Sequence, residues 1–140
     1  MDIWTRQKRS EVMSKIRSKD TKPELRVRSA LFKQGYRFRI HRNDLPGCPD
    51  IVFPSAKVAI FIHGCFWHLH PDCRDGTIPK TSSEMWKAKL ERNVSRDKES
   101  VSRLEQGNWR TIIIWECEVE KSLEDVVARI ISFIKANGSR

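Results

Sequence analysis

Residues 58–63 read VAIFIH, five apolar residues closed by a histidine, and GCFWH (64–68) follows at once. The run is too short for a core helix, is rich in β-branched residues, and is bounded by the turn formers PSAK (54–57). It therefore reads as a central strand buried on both faces. Upstream at hairpin distance, DIVF (50–53) is a second, shorter strand, and the loop RNDLPGCP (42–49) before it is dense in turn residues. YRFRIH (36–41) alternates apolar and basic residues, the pattern of a half-buried strand. Further out, TKPE (21–24) marks a helix start, with Thr21 as N-cap, Pro23 in the first turn and Glu24 at the capping-box position. That helix runs to about Gln34 and ends at Gly35.

Downstream, residues 65–82 are irregular and hold Pro71, Gly76 and Pro79. A helix over Ser83–Gln106 puts Trp86, Leu90, Val94, Val101 and Leu104 on one face, with Asp97 on the same stripe, and stops at Gly107. RTIIIWE (110–116) is another strand, and a helix of that length before it suits a crossover to a parallel neighbour. LEDVVARIISFIKANG (123–138) is a final amphipathic helix. The order predicts an α/β fold with a mixed central sheet flanked by helices. One domain over residues 1–140 is expected, preceded by a basic arm (1–20) in which Val12, Met13 and Ile16 form a thin apolar stripe.

A chain of 140 residues buries roughly two-thirds of its unfolded surface without needing bridges or metal for core size. No apolar run reaches transmembrane length, and the N-terminus has no apolar signal segment, so an intracellular chain is expected. The excess of 27 basic over 18 acidic residues, a net charge of +9, favours polyanionic partners through counterion release. In that setting the four cysteines, Cys48, Cys65, Cys73 and Cys117, point to metal ligation or burial rather than disulfides.

Three sets of residues carry candidate chemistry. Asp50 opens a strand directly after a glycine turn, where its carboxylate is either a turn residue or a ligand for a hard divalent cation. His63 ends the neighbouring strand and His68 follows it, so that an acid and two histidines suit metal-assisted phosphodiester hydrolysis. Glu24 either caps its helix or holds a metal-bound water. Cys65, His70, Cys73 and Cys117 offer the three thiolates and one imidazole of a structural zinc site, with Cys117 on the strand after TIIIWE. The competing reading buries Cys65 and Cys117 as small apolar residues. His68 and His70, separated by Leu69 on an extended segment, should point to opposite sides. Phe66, Trp67 and Trp86 are either core aromatics or wedges for opening a duplex.

Together DTKPE, LPGCPDIVF, FIHGCFWH, the Cys/His set and NVSRD followed by WECE resemble the very-short-patch repair (Vsr) DNA mismatch endonucleases from about Arg9 to Val119. The resemblance implies a restriction-endonuclease-like fold and a Mg²⁺-dependent enzyme that nicks one strand 5′ to the thymine of a T:G mismatch. Such mismatches arise by deamination of 5-methylcytosine. It implies that Asp50 binds Mg²⁺, that His68 activates or orients the attacking water, and that His63 and Glu24 assist. Phe66, Trp67 and Trp86 would intercalate, Met13 would probe the duplex from the opposite groove, and Cys65, His70, Cys73 and Cys117 would bind Zn²⁺. The chain departs from the family pattern at Ile62, which replaces a threonine and would bind Mg²⁺ through its backbone carbonyl. Leu69 and Pro71-Asp72 replace a histidine run and lengthen it by one residue, and Cys48 replaces a basic residue. The family further implies a cytoplasmic, nucleoid-associated bacterial monomer working with mismatch-repair proteins. Two alternatives stand beside this reading: a restriction endonuclease cutting both strands, and a non-catalytic zinc-containing DNA-binding module.

Overall fold

A computed structural model describes residues 21–66, 68–71 and 83–137. The arm with Met13, together with Trp67 and Cys73, lies outside the described residues. Helix α1 (Lys22–Lys33) leads to strand β1 (Arg39–Ile40), then β2 (Ile51–Phe53) and β3 (Val58–His63). Helix α2 (Ser83–Gln106), strand β4 (Arg110–Trp115) and helices α3 (Glu116–Lys121) and α4 (Leu123–Asn137) follow. The sheet order is β1-β2-β3-β4; the first three strands are antiparallel, and β4 runs parallel to β3. A mixed sheet with a helical crossover into β4 is what the sequence predicts.

All six residues of β3 are buried, as expected for the central strand. Alternation then divides them between two cores. Val58, Ile60 and Ile62 pack with Val27 and Leu31 of α1, Val119 of α3, and Val126, Ile130 and Ile134 of α4. Ala59 and Phe61 pack with Leu104 of α2 and with the half-buried Val101 and Trp109. Each fully buried Val, Leu or Ile contributes about 1.5–3 kcal/mol of transfer free energy, so β3 is the chief organiser of both layers. Among the described residues, no helix is long and apolar enough to cross a membrane.

Three local expectations need correction. The segment 36–41 is not a full strand: only Arg39 and Ile40 pair with β2, and both are exposed. Tyr36 and Phe38 instead lay their rings edge-on against Phe53, and His41 breaks the strand with a left-handed backbone (φ 48°). The capping box of α1 does not form. Thr21 makes no side-chain cap bond, and Glu24, buried, turns its carboxylate to His41. Finally, Cys117 is on helix α3, which starts directly after β4; Glu118 accepts the Trp115 N–H at 2.9 Å and so secures that first turn.

Candidate active site and metal centre

The register places His41 after the end of β1, Asp50 before β2, Ile62 and His63 at the end of β3, and Trp115 at the end of β4. All of them lie at one end of the sheet, and the loop from Gly64 follows from there. Three groups of ligand-type side chains gather in this region: Glu24, His41 and Asp50; His63, His68 and Asp97; and Cys65, His70 and Cys117. Within each group the potential donor atoms lie within 4.8 Å of one another. Asp50 and His68, paired by the sequence reading, thus fall in separate groups.

In the first group, Asp50 Oδ2 accepts the Ile62 N–H at 2.7 Å, and the Asp50 N–H donates to the Ile60 carbonyl at 3.0 Å. In a strand the N–H and C=O of one residue face the same neighbour, so the Ile62 carbonyl also faces the Asp50 side. The Ile62 side chain is in the core and offers no ligand. Glu24 Oε2 meets His41 Nε2 at 2.6 Å and Arg28 Nη2 at 3.6 Å. Burial pushes the Asp50 carboxyl up to about 8; the Ile62 N–H opposes this, while the charge and hydrogen bond of Glu24 reinforce it and Arg28 opposes it. Two buried carboxylates crowded beside a peptide carbonyl make an all-oxygen donor set that fits a hard cation such as Mg²⁺.

The second group has a different geometry. His68 Nδ1 lies 2.5 Å from Asp97 Oδ2, and the rings of His63 and His68 stack with centroids 3.8 Å apart and planes at 6°. Imidazole lone pairs lie in the ring plane, so two stacked rings direct them within two nearly parallel planes, a poor geometry for meeting at one ion. The arrangement suits proton handling instead. With the proton on Nδ1 donated to Asp97, Nε2 of His68 would be the basic nitrogen, and the carboxylate would stabilise the imidazolium formed when it takes a proton. His63 is lowered to about 4, mainly by burial and then by His68, against the pull of Asp97. It is a neutral platform at physiological pH, with Nδ1 buried and unpaired among the described residues.

The third group is set by tight turns, not by an extended segment: His68, Leu69 and His70 donate their N–H groups back to Gly64, Phe66 and Cys65, and Leu69 has φ 47°. The two histidines still diverge, because His70 stacks on Trp115 at 4.1 Å while His68 stacks on His63. His70 Nδ1 is 3.5 Å from Cys65 Sγ and 3.4 Å from Cys117 Sγ. A tetrahedral ion with Zn–S near 2.3 Å and Zn–N near 2.0–2.1 Å places S and N about 3.5 Å apart. The three residues therefore fit zinc, with one corner of the tetrahedron left for a further ligand. Glu116 accepts the Cys65 N–H at 3.0 Å and ties the loop to α3. Phe66 packs edge-on against Trp86, with ring centroids 5.4 Å apart.

The sequence profile of the DNA mismatch endonuclease Vsr family matches residues 1–75. Two relatives carry the likeness further along the chain. A type II nicking enzyme, V.XorIIP of Xanthomonas oryzae pv. oryzae, is 49% identical over 118 residues, covering 84% of this chain and 86% of that protein. The DNA mismatch endonuclease Vsr of Escherichia coli is 42% identical over 116 residues, covering 83% and 74%. The chain belongs to the Vsr DNA mismatch endonuclease family. It is a DNA-acting nuclease, as its sequence motifs imply. A further Vsr-family relative, the type II nicking enzyme V.NmeAIP of Neisseria meningitidis, is 46% identical over 119 residues.

Two members of these groups escape the sequence reading. Asp97 has a visible signal, an acid on the apolar stripe of a long helix, but its partner is not legible from spacing. His41 has none, because its role depends on a left-handed turn after β1.

Proposed function

We propose that the protein is a Mg²⁺-dependent, strand-specific endonuclease that nicks 5′ to the thymine of T:G mismatches left by deamination of 5-methylcytosine. The observation that carries the chemistry is the pairing of an oxygen-rich acid cluster with a His–Asp dyad at one end of the sheet. Asp50, the Ile62 carbonyl and Glu24 would hold Mg²⁺, which supplies charge neutralisation at the scissile phosphate and a more acidic water. His68 Nε2 takes the proton of the attacking water, Asp97 fixes the tautomer, and His63 supports the ring from below. Cys65, His70 and Cys117, completed by Cys73, would hold Zn²⁺ and stiffen the loop that carries Phe66, Trp67 and His68. Phe66, Trp67 and Trp86 then act as wedges, since unstacking costs least at a mismatch. Met13 of the arm (1–20) enters from the opposite groove.

The wider reading is a single restriction-endonuclease-like domain over residues 1–140, active as a monomer in the bacterial cytoplasm and nucleoid, and followed by mismatch-repair proteins. The test is a nicking assay on T:G and T:A duplexes with the cut position mapped, using wild type and Asp50→Ala. Equal rates on the two duplexes overturn the mismatch claim. Undiminished nicking by Asp50→Ala overturns the mechanism, and cleavage of both strands of paired DNA favours a restriction enzyme.

A further inference from the structure

Glu24 is nearly inaccessible, at 1% exposure, yet its carboxylate does not cap its own helix. It is held from outside α1 by His41, whose Nε2 lies 2.6 Å from Oε2. His41 reaches it only because the chain leaves β1 in a left-handed conformation, an uncommon one for a non-glycine residue and one that recurs where function requires it. The same residue is tied to the acid pair through its backbone, its N–H donating to the Asp50 carbonyl at 3.4 Å. The nearest Arg28 nitrogen approaches the same Oε2 at 3.6 Å, so His41 and Arg28 converge on that oxygen of Glu24.

We propose that His41 is a positioning residue that locks the Glu24 carboxylate with Oε1 turned toward Asp50, and so pre-forms the site for a hydrated divalent cation. Hard cations prefer oxygen, and the Nε2 of His41 is already committed to Glu24, so His41 acts through Glu24 rather than as a ligand. The inference rests on reading Glu24 and Asp50 as the cation site. Partners that orient ligands in this way typically carry 10–100-fold in metal affinity.

The experiment compares His41→Gln, whose amide donor can reach Glu24, with His41→Asn, which is one methylene shorter and cannot. Mn²⁺ binding to the full chain is followed by the electron paramagnetic resonance signal of the free ion, with Asp50→Ala defining background. The Mg²⁺ dependence of nicking is measured in parallel. The Gln variant should bind Mn²⁺ within about threefold of wild type. The Asn variant should bind roughly tenfold more weakly or worse and need correspondingly more Mg²⁺, at an unchanged melting temperature. Gln and Asn variants that behave alike, both intact or both impaired, overturn the positioning role. A wild type that binds no Mn²⁺ above the Asp50→Ala background overturns the cation site itself. A wild type that binds Mn²⁺ but nicks no mismatch leaves His41 tested by binding while the proposed activity fails.

Discussion

Replacing Asp50 by Asn should stabilise the Mg²⁺-free protein at neutral pH while removing the proposed nicking activity. Burial, reinforced by Glu24, pushes the Asp50 carboxyl up to about 8, whereas the ordinary value, which applies in the unfolded chain, is 3.8. At neutral pH the folded chain therefore holds a proton that the unfolded chain has released. The stability linked to this group is fully present below about pH 4 and is lost as pH rises toward about 8. One pH unit corresponds to about 1.4 kcal/mol per proton, so the window from about pH 4 to 7 spans up to about 4 kcal/mol. An asparagine amide buried in the same place has its own desolvation cost, which leaves about half, or ~2 kcal/mol, as the gain expected from the substitution. Asn keeps an oxygen for the Ile62 N–H and offers an amide N–H to Glu24. For a chain of this length the gain raises Tm by roughly 6–8 °C. The assay is thermal melting of wild type and Asp50→Asn at pH 5 and 7.5, without Mg²⁺ and without a chelator strong enough to strip thiolate-bound zinc. The gap should favour Asn and widen with pH, and added Mg²⁺ should close it by stabilising wild type only. A variant no more stable than wild type at pH 7.5, or a gap that narrows with pH, would refute the reasoning.

On the proposed mechanism, Asp97→Asn weakens the contact that orients the His68 ring, so nicking should fall about 10²–10⁴-fold while DNA binding in a gel-shift assay is retained. Cys117→Ser removes one thiolate from the Cys65–His70 group; zinc content by mass spectrometry should drop and Tm fall by roughly 10 °C, an effect that chelation of the wild type reproduces. Gly47→Ala should cost about 2–4 kcal/mol by denaturant unfolding, because a side chain there adopts φ 75° and its Cβ would lie 2.7 Å from Ser100 Cβ on α2. Combining it with Ser100→Gly should restore the steric part only.

The sequence makes legible whatever depends on local periodicity. The bounds of α2, the burial of β3 and the stop at Gly107 all follow from apolar spacing and a breaker. The parallel β3–β4 pairing follows from the length of the crossover. What the sequence hides is decided by tertiary competition for a few polar groups. Glu24 sits at a capping-box position, yet its carboxylate goes to His41, seventeen residues away beyond β1, rather than to a backbone N–H. TIIIWEC reads as unbroken strand because nothing in its apolar pattern announces that Glu118 will turn back to the Trp115 N–H. The separation of His68 from His70 is correct for the wrong reason, since tight turns rather than strand alternation send them apart. A contact such as His68–Asp97 spans 29 positions, and no spacing rule reaches that far.

Alternation along β3 explains why the acid cluster and the His–Asp dyad are neighbours yet distinct. The Ile62 peptide serves Asp50 in the plane of the sheet, while the next side chain, His63, leaves toward α2 and meets the ring of His68. Consecutive residues of one rigid strand thus anchor both clusters, so their relative placement is set by backbone geometry rather than by side-chain freedom. Only His68 has to be returned to this frame from a loop. Among the described residues of that loop, Cys65 and His70 lie within reach of Cys117, while His68 stacks on His63. A cation held by Cys65, His70 and Cys117 would fix this part of the loop to β3 and α3, and with it the ring of His68, which takes the water's proton in the proposed mechanism. On this argument zinc loss should impair nicking even where the Asp50 cluster still binds Mn²⁺, because the two clusters share the strand but only one of them depends on the loop.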